Sequence, residues 1–185
     1  MAFPGMNGPL PYIPDPLGVR ELNISDEWRG RWVEGAALPD GVPVLHGYAV
    51  VICDDKGYVT RPAGDARWGV VEGVVAPNET PLAWAKRAAK EQASATAGVV
   101  EMLGYLDCRA TSHNAAFPVG TPSVRPIYLF AAKTVKELGK ASGYERRRLP
   151  LNELAALLRS RYPEFEREMS DAVNRYMVLR AKGEV

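Results

Sequence analysis

Residues 73–95 read GVVAPNETPLAWAKRAAKEQASA, a short turn followed by a segment rich in alanine and in charged side chains. The turn occupies residues 77–81. Thr80 is a residue type that commonly caps the N-terminus of a helix. Pro81 suits the first helical position, where a missing backbone N–H costs least. The segment therefore predicts a loop that leads directly into a helix over residues 82–93.

The spacing within this segment resembles the Nudix box, whose pattern is G-x5-E-x7-R-E-U-x-E-E-x-G-U, with U a bulky aliphatic residue. Gly73, Glu79, Arg87 and Glu91 stand at the separations that the pattern requires. The turn phrase Pro-Asn-Glu-Thr-Pro at residues 77–81 is also close to one that is common in that family. The chain is thus similar to the Nudix hydrolases over its loop–helix segment.

The resemblance extends to both sides of the box, over roughly residues 44–160. Strand patterns precede and follow the box, and LPLNEL at residues 149–154 is similar to the opening of the family's last helix. The resemblance implies an α/β fold, a Nudix-type α/β/α sandwich with a mixed central sheet. We expect a proline-rich arm and short leading elements at residues 1–43, a Nudix-like domain at 44–160, and a C-terminal helix packed on it at 161–185.

The departures from the pattern fall on the carboxylates. Ala88 stands where a glutamate should follow the arginine, Gln92 replaces the second glutamate of the pair, Ser94 replaces the glycine, and the aliphatic position holds Ala89. Positions 88, 91 and 92 share one helical face. In the family, carboxylates on that face hold a divalent metal that grips a diphosphate. Of the three helix carboxylates, Glu91 alone remains.

The resemblance also implies a role for each box residue that is kept. Glu91 is the candidate catalytic residue, and Glu91 with the amide oxygen of Gln92 would hold Mg²⁺ or Mn²⁺. Gly73, Glu79 and Arg87 form the structural frame that holds the loop against the helix. The arginine and Glu91 at i, i+4 could equally form an ordinary helix ion pair.

Other glutamates could substitute for the missing carboxylates. Glu72 comes just before Gly73, where the family usually has a second glycine, and it is our second candidate catalytic residue. Glu101 lies on the following strand, and Glu145 is expected in a loop. We interpret these two as solvated side chains.

Four further features have both a functional and a structural interpretation. Trp68, with Arg67 beside it, could stack on a base as a ligand-binding pair, or could be a core aromatic. The arginine run at 146–148 could bind phosphate, but we interpret it as solvated surface. His46 and His113 have no metal-ligating neighbour at i+3 or i+4, so neither supports a metal site or a catalytic triad.

Composition limits the class of protein. The chain has 185 residues, 46% of them hydrophobic and 24% charged, with a net charge of +1. Without a basic excess we expect no nucleic-acid partner. No apolar run is long enough to predict a membrane span. The N-terminus lacks the pattern of a signal peptide, so we expect a cytoplasmic protein. Cys53 and Cys108 are far apart, which argues against disulfides and structural zinc.

The rest of the chain alternates between strand and helix patterns. The five prolines at residues 1–20 predict an extended arm, and ISDEWRGRWVEG at 24–35 is interpreted as a helical turn capped by Ser25. Hydrophobic patterning predicts strands at 44–53, 58–60, 68–76, 99–111 and 124–135, and helices at 151–161 and from Pro163 onward.

These observations lead to two hypotheses about function. The resemblance implies a divergent Nudix hydrolase, a pyrophosphatase that splits a nucleoside diphosphate linked to another moiety, with weak or atypical activity because two helix carboxylates are absent. The alternative is an inactive Nudix-fold module that binds a nucleotide-type ligand or a protein partner. The kept frame narrowly favours the hydrolase, whereas residues 88 and 92 favour the module. Self-association as a homodimer stays open.

Overall fold

The computed structural model describes residues 20–35 and 37–185. The predicted arm at residues 1–20 lies outside the described residues, except for Arg20. Strands and helices follow one another along the described chain in this order: β1 Glu21–Ser25, β2 Trp28–Glu34, β3 His46–Cys53, β4 Lys56–Pro62, β5 Val71–Val74, α1 Pro81–Ala93, β6 Ala95–Ala110, β7 Pro122–Val135, β8 Tyr144–Pro150, α2 Leu151–Arg161 and α3 Glu166–Ala181.

The strands form one mixed sheet. Its order is β1-β2-β6-β7-β3-β4-β8, and β5 pairs with the beginning of β3. The central pair β3 and β7 is parallel, whereas the other pairs within the sheet are antiparallel. The mixed central sheet that the sequence predicted is therefore confirmed.

Helices cover both faces of this sheet. Successive side chains of a strand point to opposite faces, and in β3 Ala49 and Val51 pack with α1 while Val50 and Ile52 pack with α2 and α3. This confirms the α/β/α sandwich with a C-terminal helix. Within the described residues, no helix is long and apolar enough to cross a membrane.

Helix α1 begins as the sequence predicted. Thr80 is the N-cap, and its Oγ1 accepts a hydrogen bond from the backbone N–H of Ala83 at 3.1 Å. The helix ends at Ser94, which adopts the left-handed conformation with φ 54° in place of the glycine of the pattern. The N–H of Ser94 donates to the carbonyl of Lys90 at 3.0 Å, so the helix terminates without a glycine.

Two local predictions were wrong. Residues 24–35 were expected to form a helical turn, but they belong to the hairpin of β1 and β2, whose second strand pairs with β6. Buried Trp28 and Gly30 alternate with the less buried Arg29, which is the period of a strand. Glu145 was expected in a loop, but it lies on edge strand β8, where it pairs with Arg61 of β4.

Candidate functional site

The loop before α1 is held to the helix by a two-bonded ion pair. Arg87 Nε donates to Glu79 Oε1 at 2.6 Å, and Arg87 Nη2 donates to Glu79 Oε2 at 2.9 Å. The backbone N–H of Ala76 donates to the same carboxylate at 3.3 Å. Hydrogen bonds from the guanidinium lower the pKa of Glu79 below its usual value and raise that of Arg87. These contacts link the loop to α1, and the structural role of both residues stays a prediction.

Glu91 uses its carboxylate in the same cluster. Arg87 Nη1 donates to Glu91 Oε2 at 3.0 Å, one helical turn away, and the Glu91 side chain is 54% exposed. It therefore forms the ordinary i, i+4 ion pair that the sequence left as an alternative to metal binding. Its role as a catalytic residue or metal ligand stays a prediction.

The other two positions on this helical face point inward. Ala88 is buried in the core between α1 and the sheet. Gln92 is buried as well, and its Nε2 donates to the backbone carbonyl of Glu72 at 2.9 Å. Its Oε1 accepts from Thr60 Oγ1 at 3.4 Å. Gly73 lies beside this contact, since a Cβ built there would be 3.8 Å from Gln92 Nε2. The amide thus links α1 to strands β4 and β5.

Glu72 is bound by residues of the opposite layer. Its Oε2 accepts from the Tyr162 hydroxyl at 2.8 Å, and Arg161 Nη2 lies 3.5 Å from its Oε1. The Tyr162 oxygen also accepts from the backbone N–H of Val70 at 3.0 Å. Burial, followed by the nearby Glu72 carboxylate, raises the pKa of Tyr162 well above its usual value, so this phenol stays protonated and donates.

These residues do not fit the divalent metal that the Nudix box implies. Mg²⁺ prefers several oxygen ligands, usually including carboxylates. Ala88 offers none, the Glu91 carboxylate is paired with Arg87, and the Gln92 oxygen accepts from Thr60. Within residues 20–35 and 37–185, no group of three or more His, Cys, Asp or Glu side chains is arranged to hold a metal.

A cavity of about 790 Å³ opens beside Glu72. Its wall on the sheet is formed by His46 and Tyr48 of β3 and by Arg125 of β7. Arg29 of β2 and Arg161 at the end of α2 reach it from either side. A smaller cavity of about 220 Å³ shares His46, Glu72 and Arg161 with it and extends to Gln92 and Gly73. The box and the large cavity therefore adjoin through Glu72.

Aromatic rings form one side of the large cavity. The rings of Tyr48 and Tyr162 are 6.0 Å apart, centroid to centroid, and each lies 5.5 Å from that of Phe165. Such a volume, lined by rings and a few charged groups, is typical of sites for small molecules. The sequence did not indicate these rings, nor Arg125 and Arg161, because they come from elements far apart along the chain. For Arg29, with Arg31, Trp28 and Trp32, the sequence allows either a surface for a ligand or a contact for the N-terminal arm.

The predicted ligand-binding pair lies away from the large cavity. The guanidinium carbons of Arg61 and Arg147 each lie 4.5 Å from the centre of the Trp68 ring, so this ring is engaged in cation–π contacts. Arg67 is 70% exposed, is next to Asp65, and lines the smaller cavity. Binding by Arg67 and Trp68 stays a prediction.

The remaining acidic candidates lie in ion pairs. Arg175 Nε donates to Glu101 Oε2 at 2.7 Å, which lowers the pKa of that carboxyl. Glu145 accepts from Arg61 on the neighbouring strand. The expected loop position of Glu145 was wrong because it lies on β8. Neither glutamate lies at the large cavity.

Comparisons with known proteins agree with the architecture. No family model and no curated protein matches the sequence. Among solved structures, a pyrophosphohydrolase from Bacillus subtilis superposes with a TM-score of 0.52 at 18% identity, over 66% of this chain and 72% of that one. An ADP compounds hydrolase gives 0.49 at 19% identity, over 91% and 95%, and a MutT protein from Bacillus halodurans gives 0.46 at 13%, over 60% and 71%. The fold assignment rests on the first of these, and the chain has the Nudix fold that its loop–helix segment predicted.

Proposed function

We propose that this chain binds a nucleotide-type ligand in the large cavity and lacks the usual metal-dependent hydrolysis of a Nudix box. The observation that carries the proposal is the state of the metal-binding face of α1. Ala88 is buried, the amide of Gln92 bridges Thr60 and the carbonyl of Glu72, and Glu91 is paired with Arg87. The box has kept its structural frame while its carboxylates have been replaced or engaged.

The cavity supports a nucleotide as the class of ligand. Its volume of about 790 Å³ lies within the usual range for small-molecule sites. Its aromatic surface comes from Tyr48, Tyr162 and Phe165. Its arginines, Arg29, Arg125 and Arg161, offer hydrogen-bond donors that suit phosphate oxygens. The Bacillus subtilis neighbour is a pyrophosphohydrolase, which favours a ligand with linked phosphates.

A second candidate is an atypical hydrolase of a nucleoside diphosphate linked to another moiety. The position of Glu72 favours it, because this carboxylate lies at the wall shared by the two cavities. In this candidate Glu72 and Glu91 are catalytic, and Glu91 with Gln92 holds Mg²⁺ or Mn²⁺. It requires Glu91 to leave Arg87 and the Gln92 oxygen to leave Thr60.

One panel of ligands separates the two candidates. Nucleotide sugars, dinucleotides and nucleoside triphosphates are tested for a shift in melting temperature and, with Mg²⁺ or Mn²⁺, for phosphate release. We expect at least one ligand to raise the melting temperature of the wild-type protein without turnover. Turnover that Glu91→Gln abolishes would establish the hydrolase instead. If no ligand shifts the melting temperature and none is hydrolysed, both candidates fail.

A further inference from the structure

Arg125 is the most unusual charged group of the large cavity. Its Nη1 donates to the Tyr48 hydroxyl at 3.0 Å, and its Nε is buried without a hydrogen-bond partner. Among the described residues it forms no ion pair with a carboxylate. Placing a guanidinium in a partly buried site without a counter-charge is costly. The free protein therefore holds a positive charge that an anion would compensate.

The surroundings of Arg125 do not cancel this charge. The Tyr48 hydroxyl is neutral, since burial raises the pKa of this phenol to about 12. His46 is neutral as well, because burial and then the charge of Arg125 lower its pKa to about 4. Both effects agree with the geometry, in which the guanidinium of Arg125 faces the cavity beside the uncharged side chains of Tyr48 and His46.

Arg29 adds a second cation to the same cavity from strand β2. In the described part of the chain its guanidinium forms no hydrogen bond or ion pair. Arg161, the third arginine, is already directed towards Glu72, with Nη2 3.5 Å from its carboxylate. The carboxylates of Asp26 and Glu164 also line the cavity, but both residues are exposed and lie at its rim. The interior thus carries more positive charge than negative.

We propose that Arg125 and Arg29 bind the phosphate groups of the ligand directly, so that phosphate binding in this cavity needs no divalent metal. This inference rests on the proposed nucleotide-type ligand and names the groups that hold its anionic part. A guanidinium offers a planar fork of donors that matches two phosphate oxygens. Direct pairing replaces the metal bridge that α1 is not equipped to form.

The test measures binding of inorganic pyrophosphate and of ADP to the full chain by calorimetry, with EDTA present. We expect both to bind the wild-type protein. Arg125→Ala and Arg29→Ala should each weaken binding by roughly 10-fold or more, because a hydrogen bond to a charged group is lost. Arg125→Lys keeps the charge without the fork and should weaken binding less than Arg125→Ala.

Arg159→Ala is the matched control, since it removes the same charge from a side chain that is 71% exposed and does not line the cavity. It should bind like the wild type. The guanidinium carbon of Arg125 lies 5.9 Å from the centre of the Trp28 ring, so Arg125→Ala could disturb folding. In that case the Arg29→Ala variant still tests the inference. Circular dichroism checks the fold of each variant.

The outcomes separate this inference from the proposed function. If ADP binds equally well to wild type, Arg29→Ala and Arg125→Ala, or binds only with Mg²⁺, the inference is overturned while the nucleotide site stands. If pyrophosphate binds in EDTA but no nucleotide does, the phosphate site stands and the nucleotide is wrong. Malonate, a dicarboxylate, is measured as a comparison anion. Tighter binding of malonate than of pyrophosphate would overturn the assignment to phosphate. The absence of binding by both pyrophosphate and ADP would overturn it as well.

Discussion

Gln92 stands where the Nudix pattern has a metal-binding glutamate, and both ends of its amide are engaged. The Nε2–H donates to the carbonyl of Glu72 at 2.9 Å, and Oε1 accepts from Thr60 at 3.4 Å. A carboxylate could accept from Thr60 but could not donate to a carbonyl. The side chain is only 6% exposed, so a charge there would also be partly desolvated. The amide therefore stabilises the contact between α1 and the sheet.

Gln92→Glu should lower the free energy of unfolding by roughly 1–3 kcal/mol, because the Glu72 carbonyl loses its donor and a charge is buried. Urea unfolding at pH 7 measures this, with Glu91→Gln on the exposed side of the helix as control. The control should change stability by less than about 0.5 kcal/mol. Recovery of the lost stability in Mg²⁺ would contradict our interpretation, because it would mean that a glutamate at this position rebuilds a metal site.

At the scale of elements, helix α1 packs closely on strand β3. Trp84 is buried, and it occupies the space over Gly47 where a larger residue would project. A Cβ at Gly47 would lie 2.5 Å from Trp84 Cζ3, well inside contact distance. The absence of a side chain at Gly47 therefore leaves the space that the indole of Trp84 occupies against the strand.

Gly47→Ala should destabilise the protein by roughly 1–3 kcal/mol, the usual cost of adding a methyl group to a filled core. Thermal and urea unfolding both report it. Gly139→Ala is the matched control, because a Cβ there would meet nothing within 4 Å. A Gly47→Ala protein as stable as that control would mean that Trp84 can move aside.

Tyr162, at the end of α2, joins the helical layer to β5. Tyr162→Phe leaves the N–H of buried Val70 without its partner and frees the Glu72 carboxylate. We expect a loss of roughly 1–3 kcal/mol in unfolding free energy. Tyr176→Phe is the control, since its hydroxyl binds the more exposed Asp55, whose lost bonds water can replace. Equal losses in both variants would show no special role for the Val70 contact.

The elements differ in how well the sequence predicted them. Helix α1 was predicted because its N-cap, its proline and its helical spacing are all local to residues 80–93. The hairpin of β1 and β2 was missed because Ser25 is a typical N-cap residue and two arginines interrupt the apolar pattern. Strand β8 was missed because residues 146–148 are three consecutive arginines. Strand β2 is stabilised by pairing with β6, and β8 by pairing with β4. Such pairing depends on distant residues, so the local sequence does not predict it.

At the scale of the whole molecule, the same distinction applies to the site. The Glu79–Arg87 ion pair could be predicted because both residues lie within one loop–helix segment. The cavity could not, because Arg29, His46 and Arg125 meet only when β2, β3 and β7 take their places in the sheet. The order of the strands, rather than any spacing along the chain, creates the positively charged interior.

That interior affects the stability of the entire fold through His46. Its ring lies 5.0 Å from that of Tyr48, and Arg125 of β7, Glu72 of β5 and Arg161 of α2 line the same cavity. Burial and the charge of Arg125 lower its pKa from 6.5 to about 4. In the unfolded chain the imidazole takes up its proton at the ordinary pKa. The contribution of His46 to the free energy of unfolding is therefore fully present above pH 6.5, and it is lost as pH falls towards 4.

Between pH 7 and pH 5 this linkage should remove about 2 kcal/mol of unfolding free energy, a window in which most carboxyl groups have not yet titrated. His46→Gln should flatten the profile over that window, whatever its effect on stability at pH 7. The chain has two histidines, so exposed His113→Gln is the natural control, and it should keep the wild-type slope. Urea unfolding at half-unit pH intervals measures all three profiles. If His113→Gln flattens the profile and His46→Gln does not, the pH dependence does not come from His46.

Binding of pyrophosphate beside Arg125 should make protonation of His46 easier, because the added negative charge favours the imidazolium. The slope of the wild-type profile should therefore decrease when pyrophosphate saturates the site.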